Sequence, residues 1–473
     1  MNNKLTPSRS PRIHSLAPLL ALVTLSLAAA PVTADSLLRS NSDRHSTHQQ
    51  YIVRFHPDAA EASLPRLRAA ALQRAAQHLP AARLRGLQVQ QERQITSGSF
   101  VVRTSHALDS IESDAFITAL TADPAVVHAQ PDLVLQSTWI PNDQHYPRQW
   151  GLGTWSYAIN VQPAWDLSRG AGITVAVLDS GTTVHPDLDA QMLPGYDFVS
   201  DPQVARDGNG RDANPQDEGN WGETIDCRRK MDSDWHGTKV AGTLAAIANN
   251  REGIAGVANG ARILPVRVTG RCSNGMISDV IEAMLWAAGF DVTGVPKNTN
   301  PARIVNISLA GIGMCPPELQ EAIDKLGLAN VTVITDVGND DADAKDYTPA
   351  NCLRLIAVGS NDGQGRKSLF SNTGENVDLV APGDDIYSTS NGGSTYPETP
   401  WYGEQSGTSF SAAHVAGVAA LMQSGRQRLL TPAEVELILK DTAKNLGADC
   451  PRSECGFGLI DAEAAVRRAR ATP

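Results

Sequence analysis

Cysteine is absent from the first 226 residues, and none of the six that follow has the CxxC spacing of a zinc or redox site. Positive charge is in deficit: 40 Lys and Arg stand against 51 Asp and Glu, a formal net charge of −11 over 473 residues. The deficit is uneven. Residues 1–34 carry three basic residues, residues 35–136 carry ten of each sign, and the remainder holds 27 basic against 41 acidic residues. A surface of that sign repels phosphate backbones, which argues against nucleic acid as a partner, and favours bound cations and solubility outside the cell. Beyond the N-terminal region no apolar run is long enough to cross a membrane. Internal repeats and low-complexity segments are missing too. So is the G-x-S-x-G elbow, because Phe410 precedes Ser411 and Ala412 follows it, which disfavours lipase and esterase folds.

At the N-terminus, Lys4, Arg9 and Arg12 precede an apolar run from Leu16 to Ala30, and Val32-Thr33-Ala34 offers a small-residue cleavage site. Residues 1–34 therefore read as a signal peptide for export, with a retained N-terminal anchor as the alternative. In an exported chain the even set Cys227, Cys272, Cys315, Cys352, Cys450 and Cys455 implies disulfides. Six cysteines allow fifteen connectivities. Pairing in sequence order is expected, Cys450–Cys455 first because so few residues separate them.

The length exceeds one ordinary domain and suffices for a large core. After a polar, frayed stretch at 35–50, residues 51 to about 135 read as β-α-β-β-α-β. Strands lie at Tyr51–Phe55, near Leu87–Arg93, at Phe100–Thr104 and at Val126–Ala129, with helices at Ala59–His78 and Glu112–Thr121. That order is a split-βαβ, ferredoxin-like one. Residues 137–150, with Pro141, Pro147 and polar neighbours, read as an exposed linker and a domain boundary. Beyond it, apolar strands at 173–178, 263–268, 304–309, 331–334 and 355–358 alternate with helices at 238–248, 277–288, 318–329, 411–422 and 432–445. Such alternation predicts an α/β domain over 151–473 with a mostly parallel sheet, which binds ligands at the carboxyl ends of its strands. Two long polar loops, Ser200–Trp235 and Ser390–Gln405, interrupt it.

Three stretches and one asparagine carry chemistry. The strand Ile173–Leu178 delivers Asp179 to its end, where a half-buried carboxylate requires a partner; a turn cap is the plainer reading. His236, in Asp234-Trp235-His236-Gly237-Thr238, opens a small-residue helix and suits a general base, although histidines at helix starts are often structural. Ser409, in Gly407-Thr408-Ser409-Phe410-Ser411, stands at a helix N-terminus, where the dipole and free N–H groups favour an oxyanion. Alone it could be just an N-cap. Together the three supply the carboxylate, base and nucleophile of a charge-assisted serine attack on a carbonyl. Asn339, after Val337-Gly338, could donate its amide to the developing oxyanion or serve a turn.

These residues resemble those of a subtilisin-like serine protease. The matching stretches are Val177-Leu178-Asp179-Ser180-Gly181, His236-Gly237-Thr238, Ser308-Leu309-Ala310-Gly311, Gly338-Asn339 and Gly407-Thr408-Ser409, spread over about 141–465. The resemblance implies a three-layer α/β/α fold, peptide-bond hydrolysis through an acyl-enzyme, and a substrate cleft lined by Ser308, Leu309, Ala310, Gly311 and Gly338. It also implies that residues 35–136 are an inhibitory, folding-assisting propeptide, cut between about Val134 and Pro141. Lys239 stands where the family usually has a second histidine, and Phe410 and Ala413 where it has Met and Pro. Asp336 replaces a small residue near the floor of the pocket ahead of the scissile bond. There it would favour Lys or Arg in the substrate, or turn away onto a backbone N–H or a basic group.

Calcium follows by the same resemblance, with Asp187 and, in some members, Asp143 as ligands and Asn250 in the corresponding loop. Independently, Asp207, Asn209 and Asp212, with Asp217 nearby, alternate oxygen donors with flexible glycines as hard cations require; a solvated acidic loop is the alternative. The expected molecule is a secreted monomer that acts on polypeptides and, once the signal is removed, has no membrane partner. A catalytically silent secreted binding protein of the same fold and a serine hydrolase acting on esters are the competing readings.

Overall fold

The computed structural model describes residues 48–77, 87–133, 139–227 and 229–473. They fall into two units divided after Gln136. The signal peptide expected at 1–34, the polar residues to 47, the helix end at His78 and most of the expected maturation segment, at 134–138, lie outside the described residues.

In the first unit the strands β1 (His48–Phe55), β2 (Val89–Gln94), β3 (Phe100–Leu108) and β4 (Val126–Pro131) form an antiparallel sheet in the order β2-β3-β1-β4. Alternation explains β1: Tyr51, Val53 and Phe55 are buried at period two. Between β1 and β2 runs α1 (Pro65–Gln77), shorter than the single helix read from Ala59. Pro65 forces Leu64 into an extended conformation (φ −104°, ψ 108°), so a four-residue turn, Ala60–Ser63, precedes a fresh start. Helix α2 (Ser110–Thr121) opens on a capping box, Asp109 with Glu112. Tyr51, Leu72, Phe116 and Leu120 meet in the core of this unit.

The second unit is built on a seven-stranded sheet in which every pair is parallel. Its strands are β5 (Thr174–Asp179), β6 (Tyr196–Asp197), β7 (Arg262–Arg267), β8 (Ile304–Ile307), β10 (Thr332–Asp336), β12 (Ile356–Asn361) and β13 (Leu379–Pro382), where β9 (Gly311–Ile312) and β11 (Tyr347–Thr348) form a separate small pair. The order is β13-β12-β10-β8-β5-β7-β6. Val175 to Asp179 are buried without alternation, as expected of a strand covered on both faces. From β5 the chain runs out one way to β6 and β7, then the other way to β8, β10, β12 and β13. The crevice where the direction reverses lies between β5 and β8.

Helices α3 (His236–Ala245), α4 (Ile277–Ala287), α5 (Pro317–Leu328), α6 (Thr408–Gln423), α7 (Pro432–Thr442) and α8 (Ala462–Ala471) cover the sheet. All sixteen residues of α6 are buried, so it is a core helix rather than an amphipathic one. It packs on β8, β10, β12, β13, α3 and α8. Its polar side chains are satisfied within the core: Ser411 Oγ donates to Ala381 O at 2.8 Å, and His414 Nδ1 pairs with Phe410 O at 2.8 Å. Burial pushes His414 down to about 4, so it is a neutral core histidine.

Three differences from the sequence reading have physical causes. The stretch Ser390–Gln405, read as a loop, contains most of a hairpin of β14 (Ile386–Asn391) and β15 (Pro400–Gln405). Its second strand, Pro-Trp-Tyr-Gly-Glu-Gln, is largely exposed and lacks apolar alternation, which concealed it. Residues 139–150 are not an exposed linker: Asp143 is 3% exposed and Tyr146 is buried. The polar residues that suggested a linker are caps, with Asp143 accepting from Asn249 N at 2.7 Å and Asn250 N at 3.2 Å. Finally, the disulfides pair in sequence order, Cys227–Cys272, Cys315–Cys352 and Cys450–Cys455, with no free cysteine among the described residues.

Candidate active site

Asp179 closes β5 and His236 opens α3, so a strand end and a helix start bring the two together. The His236 ring nitrogen Nδ1 lies 2.8 Å from Oδ1 and 3.0 Å from Oδ2 of Asp179. Asp179 Oδ1 also accepts from Ser180 N at 2.7 Å, which fixes the carboxylate plane. With Nδ1–H held by the carboxylate, Nε2 is left as the proton acceptor. Gly237 permits the approach: a Cβ there would sit 2.1 Å from Gly181 O and 3.1 Å from Asp179 Cβ. Behind them Ser180 Oγ donates to buried Asp217 at 2.7 Å and accepts from Gly237 N at 3.0 Å, tying strand end to helix start. Burial alone would lower the imidazole, but the Asp179 carboxylate, helped by Asp234 and Asp336, outweighs it and pushes His236 up to about 9.

Ser409 lies in the first turn of α6, not at its cap. Gly407 is the N-cap residue and supplies no side-chain bond, so the Ser409 hydroxyl is free of capping work. It donates to Ser308 O at 3.4 Å, and Ser308 Oγ returns a bond to Ser409 O at 3.1 Å. Catalytic contacts commonly tighten only when substrate is bound. Ser409, His236 and Asp179 line one cleft of about 330 Å³ with Ser308, Leu309 and Ala310.

Asn339 lies on the same cleft. Its Oδ1 accepts from Thr408 N at 2.8 Å and from the Thr408 hydroxyl at 2.9 Å, which leaves Nδ2 as the donor facing outward. Gly338 makes this turn possible at φ +96°, where a Cβ would come within 2.5 Å of Asn372 Nδ2. Gly311 stands just outside the cleft in β9, paired with Thr348 of β11. Asp336, the last residue of β10, is buried on the cleft, with Oδ2 accepting from Thr408 Oγ1 at 3.0 Å. Burial pushes its carboxyl up to about 6, while Thr408 and His236 pull it down.

The proposed metal ligands separate into two cases. Asp187 is fully buried, accepting from Asn250 Nδ2 at 2.7 Å and Ile254 N at 2.9 Å. Burial pushes it up to about 6, and the neighbouring Asp143 carboxylate adds to the rise. Gly253 leaves a hollow there, since a Cβ would sit 2.0 Å from Asp187 Oδ2 and 2.2 Å from Tyr402 Oη. Two buried carboxylates with no Lys or Arg paired to either form a donor set that fits a hard cation. The 207–217 loop does not. Asp207 turns to the buried guanidinium of Arg267 at 3.3 Å, Asn209 Nδ2 donates to Asp212 at 3.0 Å, and Asp217 is taken by Ser180. Among the described residues, no group of three or more His, Cys, Asp or Glu stands ready to hold a metal.

Sequence reasoning missed several residues of this cleft: Asn220, Asp234, Ser273, Tyr347 and Gln405. Asp234, two residues before His236, was the one with a usable signal. Asn220 Nδ2 joins it at 2.9 Å and Ser273 at 2.8 Å. Lys239, the departure from the family pattern, is buried and donates to Gln405 at 2.7 Å.

Residues 170–458 match the Subtilase family. An extracellular protease of Xanthomonas campestris pv. campestris is 42% identical over 452 residues, 95% of this chain and 77% of that protein. An extracellular basic protease of Dichelobacter nodosus is 40% identical over 75% of this chain, which spans 60% of that relative's length. A solved protease structure from Pseudoalteromonas arctica superposes with a TM-score of 0.68 at 42% identity, covering 70% of this chain and all of that one. The family match, the sheet order and the cleft agree: the chain belongs to the subtilase family and is a serine endopeptidase.

Proposed function

We propose that the chain is an exported endopeptidase, made as a self-processed precursor, which cleaves peptide bonds through an acyl-enzyme on Ser409. The observation that carries this reading is the two-oxygen grip of Asp179 on His236 Nδ1 in the cleft that also holds Ser409. His236 Nε2 takes the Ser409 proton as Oγ attacks the scissile carbonyl carbon. Asn339 Nδ2 and the Ser409 backbone N–H donate to the oxygen that becomes negative. His236 then returns the proton to the departing amine, and water repeats the sequence to free the acid. The exposed main chain at Ala310 and Gly311 is the edge along which an extended substrate strand pairs.

The first unit is read as the propeptide and intramolecular inhibitor, with its strand order β2-β3-β1-β4 supporting a ferredoxin-like module. Cutting between about Val134 and Pro141 releases the mature enzyme. Export rests on the signal pattern of residues 1–34, the three disulfides and the names of the extracellular relatives. Calcium, where bound by Asp143, Asp187 and the Asn250 loop, supplies structural charge neutralisation and no chemistry.

N-terminal sequencing of secreted wild type and Ser409→Ala tests the reading. Wild type is expected to start near Thr138 and the variant to retain the upstream unit. Equal processing of both would contradict self-cleavage.

A further inference from the structure

The reaction makes no direct use of Asp336, yet its carboxylate lines the cleft beside His236 and Ser409 and is 1% exposed, so it lies at depth and not on the rim. One oxygen, Oδ2, accepts from the Thr408 hydroxyl at 3.0 Å. The other, Oδ1, is buried and accepts no hydrogen bond from any other described residue. No Lys or Arg is paired with it. A buried carboxylate lacking both a cation and a donor for one oxygen is an unfinished pair.

The rest of the cleft has the same bias. Asp179, Asp234, Asp336 and Asp340 all line it, and His236 is the one lining group able to carry positive charge. Leu309, Ala310 and Tyr347 provide apolar wall in the same cleft. A Cβ on Gly338 would lie 3.1 Å from the Tyr347 ring and 3.5 Å from Ala310 Cβ, which places these groups together beside the oxyanion turn. An apolar wall ending in a carboxylate fits a side chain with an aliphatic stem and a cationic tip.

We propose that Asp336 makes the pocket ahead of the scissile bond a site for Lys or Arg. This rests on the reading of Ser409 as nucleophile. Substrate would bring the missing cation to Oδ1 while Thr408 keeps its bond to Oδ2. An aromatic or aliphatic side chain in the same place would leave the buried charge unpaired, so discrimination comes from the penalty on the wrong residue as much as from attraction to the right one.

Peptide p-nitroanilides identical except for Arg, Lys, Phe or Leu before the scissile bond test the proposal in wild type and Asp336→Asn. Wild type is expected to turn over the Arg and Lys substrates at least tenfold faster, by kcat/KM, than the Phe and Leu ones. Asparagine preserves size and the Thr408 contact but removes the charge; it is expected to lower the Arg and Lys values relative to Phe by about 30-fold or more. Benzamidine, a small arginine-like cation, gives a readout on wild type alone and is expected to inhibit competitively. A wild-type preference for Phe or Leu, or an equal loss for all four substrates in the variant, would overturn the proposal. The equal loss would mean that Asp336 acts only through Thr408 on Asn339. Fluorophosphonate labelling separates the levels: labelled Ser409 with an apolar preference sinks the pocket reading alone, whereas no labelling and no turnover sinks the enzyme reading with it.

Discussion

His236 Nδ1 sits 2.8 and 3.0 Å from the two carboxylate oxygens of Asp179, so both oxygens hold one ring nitrogen and the opposite nitrogen is left bare. This contact joins the end of the central strand β5 to the first residue of α3. It is at once a fold contact and a chemical one.

The pair sets the pH dependence. The base must be neutral to accept a proton, and the surrounding carboxylates push His236 from an ordinary 6.5 up to about 9. The ascending limb of kcat/KM is therefore expected above pH 6.5, displaced toward 9. Asp336→Asn removes one of the charges and should move the limb to lower pH. Asp179→Asn should lower kcat by about 10⁴, since the wrong tautomer would face Ser409. A wild-type limb at or below 6.5 would show that the carboxylates do not hold the imidazole proton. The same shift makes this pair stabilise the fold fully below pH 6.5, and that contribution fades as pH rises through about 9.

Asn339 offers a second test. One oxyanion donor in serine proteases of this family is worth about 10²–10³ in kcat. Asn339→Ala is expected to lose that much in kcat with KM little changed, because the bond forms only in the transition state. A rise in KM with kcat preserved would assign Asn339 to substrate binding instead.

Calcium separates the two candidate ligand sets. Excess chelator is expected to lower the melting temperature of the mature enzyme, since ligand at a hundredfold excess over Kd stabilises by about 2.7 kcal/mol. Asp187→Ala should abolish the response to calcium. Asp207→Ala should leave that response intact, because Asp207 is engaged with Arg267. Loss of the response in the Asp207 variant alone would reverse the assignment.

The disulfides are expected to differ in weight. Cys227 and Cys272 are 45 residues apart in sequence and Cys450 and Cys455 only 5. Chain entropy makes the first worth about 4 kcal/mol and the second about 2 kcal/mol. Paired Cys→Ala variants compared by thermal melting should rank in that order, and the reverse order would mean that native-state packing dominates.

Much of the site was legible because Asp179, His236 and Ser409 each terminate or open an apolar run, and in a parallel sheet such ends share one rim. Helix starts were less legible: α6 begins at Thr408 and not Ser411, because Gly407 is a cap without a side chain to announce it. Strand order depends on pairings far apart in sequence, so β13-β12-β10-β8-β5-β7-β6 could not be read from local pattern. Nor could the hairpin of β14 and β15, whose polar residues mimic a loop. Asp217 shows the limit of counting oxygens. It carries a ligand-type side chain, yet the fold spends it on Ser180 behind the catalytic strand.

The most direct measurement is mass-spectrometric mapping of a fluorophosphonate adduct on the mature enzyme, in wild type and His236→Ala. One adduct per chain, on Ser409, is expected in wild type, with concurrent loss of casein hydrolysis and little labelling of the variant. An adduct on any other serine, or casein hydrolysis that survives full modification of Ser409, would contradict the assignment of Asp179, His236 and Ser409 as one catalytic unit.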